Sequence, residues 1–162
     1  MMLSIFAFIH DLLNLMAIAA GATVLFGLLS GEFLRNWSIR FLESSLFASI
    51  TSFTFSAHHL RVSEEASMLS VYAAGTAILA WRKYHLAGVW SSVFAATATM
   101  ILYLNVFVAI DHAFGNIGVL RALPQAHSMN PLLVAQLLVA VLFVVLETRA
   151  VKRFNAKPSH SF

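Results

Sequence analysis

The stretch Val89-Trp-Ser-Ser-Val-Phe-Ala-Ala-Thr-Ala-Thr-Met-Ile-Leu-Tyr-Leu-Asn-Val-Phe-Val-Ala-Ile110 contains no charged residue. At about 1.5 Å rise per residue, a helix of this length covers roughly 33 Å. The hydrocarbon core of a bilayer is about 30 Å thick. A helix that is apolar all round has no face to offer to water. This segment therefore reads as a membrane span, and four others read the same way: Leu12–Ser30, Phe41–Ala57, Ser67–Trp81 and Pro131–Leu146. Met1 to His10 either extends the first span or lies in the interface. The third span is short, and Arg82 and Lys83 complete it by snorkelling. Pro131 suits the first turn of a helix, where its missing N–H costs nothing.

The composition agrees. The chain has 162 residues, the size of one domain, with 60% apolar and only 10% charged residues; soluble domains carry about 25% charged residues. So small a globule cannot hide that much apolar surface from water. There is no cysteine, so neither a disulfide nor a thiolate metal site is available. The net charge of +3 does not indicate nucleic acid, because the basic residues flank apolar spans, where they act as topology signals. The expected architecture is an all-α, polytopic membrane bundle of about five transmembrane helices over residues 1–154. Residues 155–162 form a cytoplasmic polar tail. No Lys or Arg precedes Arg35, so the first segment lacks the basic start of a signal peptide and reads as a retained helix.

Arg35, Arg40, Arg82, Lys83, Arg149, Lys152, Arg153 and Lys157 fall on one side of this topology, and Arg61 and Arg121 on the other. The positive-inside rule then puts the N-terminus outside and the C-terminus in the cytoplasm. Trp37, Trp81 and Trp90 all fall at the cytoplasmic ends, as an aromatic belt would.

Helices in lipid associate through small residues and shared hydrogen bonds. Stripes of such residues recur at helical spacing: His10, Asn14, Ala17 and Gly21; Ser45, Ser49, Ser52, Ser56 and His59; Ser67, Ser70, Ala74 and Ala77; Ala98, Asn105, Ala109 and His112; Gln136, Ala140 and Glu147. Gly27 and Gly31 add a GxxxG, a weak packing signal. Asn105 and Gln136 are expected to bond to neighbouring helices, and Glu147 to form an interfacial salt bridge with Arg149 or Lys152.

His10, His59 and His112 continue three of these stripes to the outer end, so their imidazoles are candidates to converge there. Three neutral imidazoles with an open position suit a transition metal such as zinc or copper. Two imidazoles facing across a bundle suit haem b. An imidazole with a carboxylate suits a quinone or a proton relay. Asp11, His58 and Asp111 lie at the same level as second-shell candidates; a carboxylate there would accept an imidazole's second N–H. The competing reading is that histidines at helix ends bond only to carbonyls or headgroups.

Leu86-Ala-Gly-Val-Trp90, Leu102-Tyr-Leu-Asn-Val-Phe-Val108, and Pro131 followed by Ala135-Gln136 resemble a family of small bacterial inner-membrane proteins with no assigned activity. The resemblance covers about the last two thirds of the chain, and its most specific piece is Tyr103 to Val108. It implies a multi-pass protein of the bacterial inner membrane and supplies no catalytic residue. Proteins of this kind often carry Gln where His112 stands, and an aromatic-Pro-aromatic turn where this chain has Phe55-Ser-Ala-His58. These departures weaken a histidine site as a function of the whole family and leave it open as a property of this chain. The first functional expectation is an accessory or structural membrane protein, surrounded by lipid and associating with itself or with a larger complex. The second is the haem, metal or quinone bundle, and the third a small transporter or channel.

Overall fold

The computed structural model describes the backbone of residues 2–53, 62–116 and 130–156, and the side chains of 8–52, 65–115 and 130–156. Among these it holds five helices and no strand: α1 (Met2–Ser30), α2 (Arg35–Phe53), α3 (Val62–Arg82), α4 (Val89–Asn116) and α5 (Pro131–Asn155). Every helix matches an expected segment, and most run past its apolar limits. Hydropathy marks where the apolar run ends, whereas helical hydrogen bonding continues into the flanking polar residues. Thus α1 takes in the N-terminal stretch, α2 starts at Arg35 instead of Phe41, and α5 extends to Asn155. The end expected for the second span, at Ala57, lies outside the described residues.

The turns explain two of the glycines. Gly31 has φ 71°. Its N–H donates to the Leu28 carbonyl at 3.0 Å, and the Glu32 N–H donates to the Gly27 carbonyl at 2.8 Å. This pair of bonds is the Schellman motif, which needs a left-handed residue that glycine supplies at least cost. A Cβ on Gly27 would stand 2.7 Å from Leu34 Cγ. The GxxxG therefore closes α1 onto its own turn instead of joining two helices. At the start of α5, Asn130 Oδ1 accepts from the Leu132 N–H at 3.0 Å, with Pro131 in the first turn as expected.

The two ends of the bundle differ in chemistry. Near the α1–α2 turn the core is large and apolar. Phe33 meets Trp81 and Phe94 with ring centroids 5.6 and 5.3 Å apart, and Phe94 meets Phe154 at 6.3 Å. Ser91 donates to Asn155 Oδ1 at 2.6 Å, and Asn155 Nδ2 donates to Ser92 Oγ, so the last turn of α5 is pinned to the first turn of α4. Trp37 carries Arg40 on its ring and Trp81 carries Arg82. Toward the other end the interior turns small and polar. Asn14, Ser45, Ser49, Ser52, Ser67, Ser70 and Asn105 are all buried. Asn14 Nδ2 donates to the Asn105 carbonyl at 3.2 Å, and Asn105 Nδ2 donates to Ser45 Oγ at 2.9 Å. One asparagine thus ties α1, α2 and α4 together.

The outside is apolar. Phe26, Phe47, Ile50, Met68, Tyr72, Leu138 and Val141 are exposed while the serines are covered. Three helical stretches, Phe8–Ser30, Val89–Gly115 and Pro131–Asn155, are long and apolar enough to cross a membrane. In α2 and α3 the inward serines lower the mean hydropathy, and so do charged residues, of which Arg35, Arg40 and Glu43 on α2 are exposed. Polar inside and apolar outside fits a membrane protein. Replacing Asn105 with Leu is expected to cost about 1 kcal/mol, the usual scale of an interhelical hydrogen bond in lipid. Thermal unfolding in detergent measures this, and an unchanged midpoint would show the bond to be idle.

Glu147 forms no ion pair among the described residues. It lines a groove with Val144, Thr148, Val151 and Lys152. The expected interfacial salt bridge is not formed among the described residues; Arg149 stands two residues on, toward another side of the helix.

Candidate functional site

At the polar end, α1 begins, α4 ends and α2 approaches its end. His10 on α1 is buried. Its Nδ1 lies 3.0 Å from Thr51 Oγ1 on α2. The Thr51 hydroxyl donates its one hydrogen to the carbonyls of Phe47 and Ala48, both at 2.9 Å. With the hydroxyl hydrogen so directed, the oxygen accepts from the imidazole, in the tautomer of His10 that carries its hydrogen on Nδ1. Nε2 is then the acceptor nitrogen of the ring.

His112 on α4 repeats the arrangement with a charged partner. Its Nδ1 lies 3.0 Å from Asp11 Oδ1, and the side chains are 36% and 54% exposed. A carboxylate accepts, so Nδ1 again carries the hydrogen and Nε2 the lone pair. The two rings face each other with centroids 5.6 Å apart and planes tilted by 52°. One ligand atom from each of His10, Asp11 and His112 lies within 4.8 Å of the others. Atoms bound to one zinc ion stand about 3–4 Å apart, so the spacing of this group is near what a single ion needs.

The sequence pattern named His10 and His112, and the fold brings them together. Asp11 sits where an orienting carboxylate was expected, hydrogen-bonded to His112. Asp111 forms no ion pair among the described residues and stands outside the group. It neighbours His112 in sequence and so points about 100° away around the helix. His58 and His59 lie outside the described residues, as do His127 and His160. His85 belongs to the α3–α4 turn at the opposite end. Sequence reading missed Thr51, which lies between two residues of the serine stripe. Threonine in a helix ordinarily bonds back to its own backbone, and nothing in its spacing signals a partner on α1.

Comparison with known proteins finds no matching family model, no similar curated protein and no similar solved structure.

Proposed function

We propose that this chain is a five-span protein of the bacterial inner membrane, N-terminus outside and C-terminus in the cytoplasm. At its outer mouth it binds a transition-metal ion, zinc foremost, through His10 and His112, with Asp11 as the orienting partner of His112. The observation that carries this reading is the convergence of two imidazoles, each already oriented through Nδ1 by its own acceptor. Imidazoles that bind metal almost always donate their other N–H to such a partner. Two neutral imidazoles suit zinc, with water completing the shell. The bacterial location rests on the resemblance carried by Leu102 to Val108, and the orientation on the skewed placement of Arg and Lys.

Haem fits less well. The rings already face each other closely, and the cavity beside His10 measures about 10 Å³, room for roughly one water and no macrocycle. Conduction finds little support, because Leu28, Phe41, Phe94 and Phe154 fill the other half of the bundle. The small-residue stripes are buried within the chain itself, as with Ala17, Ala74, Ala77 and Ala98. They therefore lend little weight to an accessory role, and the outer apolar faces meet lipid.

The test is zinc titration by calorimetry on the full-length protein in detergent, with cobalt as a coloured substitute. One ion per chain is expected. No heat above that of empty micelles would remove the proposal. Thr51→Val is expected to weaken zinc binding about tenfold, the lower range for loss of an outer-shell partner. Thr51→Ser should restore it. Equal affinity in all three proteins would mean that Thr51 does not orient the ring.

A further inference from the structure

Just inward of His10 the four helices α1 to α4 line a cavity of about 10 Å³. Its wall includes His10, Asn14, Ser49, Ser67, Ser70 and Asn105. Ser70 is 3% exposed, and its Oγ is buried without a hydrogen-bond partner among the described residues. The amide nitrogens of Asn14 and Asn105 are committed to the Asn105 carbonyl and to Ser45. Each side chain therefore still has a carbonyl oxygen able to accept. One side of the cavity thus holds an orphan hydroxyl, and another holds two spare acceptors.

An apolar void of this size stays dry, but a polar one with several partners holds water. We propose that this cavity is a binding site for one ordered water molecule. The water accepts from the Ser70 hydroxyl and donates to the asparagine carbonyls. It joins Ser70 of α3 to the polar layer in which Asn14 and Asn105 link α1, α2 and α4. On the far side Gly21 lets Phe41 and Leu102 close against α1; a Cβ there would meet them at 2.6 and 2.8 Å. The pocket is therefore closed on the Gly21 side, and it does not depend on whether a metal binds at His10 and His112.

The test is nuclear magnetic resonance on the full-length protein in lipid bilayers, read at the methyl groups of Ala48 and Val108, which also line the cavity. Cross-relaxation between these buried methyls and water is expected in the unaltered protein. Ser70→Thr adds a methyl group that takes the water's place while keeping the hydroxyl, and should abolish those cross-peaks. Cross-peaks to lipid acyl protons in place of water would overturn the proposal. So would a complete lack of transfer in the unaltered protein, or cross-peaks of full intensity in a Ser70→Thr protein whose amide spectrum is native. The measurement on the unaltered protein stands alone if the variant fails to fold.

Discussion

Zinc binding is expected to disappear when His10 and His112 are replaced together, by Gln and Ala respectively. Disturbing an outer partner costs roughly 10–100-fold in affinity, so removing both nitrogen ligands should exceed that range. His112→Ala is the cleaner single exchange. Its side chain is 36% exposed, and its pair with Asp11 is a surface contact that adds little to stability. A fall in affinity without a fall in the unfolding midpoint would separate ligation from folding. His10 is buried among α1, α2 and α4, and Gln keeps some of its bulk and hydrogen bonding. Acid should act in the same direction: a ligating imidazole must be neutral, so protons compete with the metal and affinity falls as pH falls. Calorimetry with zinc and the visible spectrum of bound cobalt give independent readings. If the double variant bound zinc as tightly as the parent, the ligands would lie elsewhere.

Gly21→Leu is expected to be the most damaging single exchange in the bundle. Gly21 faces Phe41 of α2 and Leu102 of α4, and even a Cβ would come within 2.6 Å of the Phe41 ring. Both neighbours are almost fully buried, so neither has free space to retreat into. Overfilling a packed core costs about 1–3 kcal/mol, occasionally more. Leu at this position, touching two other helices at once, should lie at or above the top of that range. Gly75 provides the control. Nothing stands within 4 Å of a Cβ there, so Gly75→Ala should be neutral or gain up to about 1 kcal/mol by limiting the unfolded backbone. Unfolding midpoints of both variants in one detergent decide the matter. Similar midpoints would mean that α1 is not held at Gly21.

The membrane character and the five helices were legible in the sequence because both are local properties. A run of apolar residues is too greasy for water wherever it lies, and stripes at helical spacing already say which face is small or polar. Asn14, Ser45, Ser49, Ser67, Ser70 and Asn105 are all buried in the structure as those stripes imply. Hydropathy placed the helix ends less well, since hydrogen bonding along α2 and α5 continues beyond the apolar run. The Gly27–Gly31 pair was misleading for a related reason: a short pattern does not say whether a glycine is needed for close approach or for a positive φ, and here Gly31 caps a helix.

The sequence by itself determined that apolar helices with polar inner faces form this protein, and that His10 and His112 both continue such faces. Only the tertiary structure decided that the two imidazoles meet, that Asp11 and not Asp111 orients one of them, and that Thr51 orients the other. Those outcomes depend on how far each helix is rotated and shifted against its neighbours. Rotation and shift are set by the summed packing of whole faces, such as Gly21 against Phe41 and Asn105 against Ser45, and no single residue's spacing along the chain carries them.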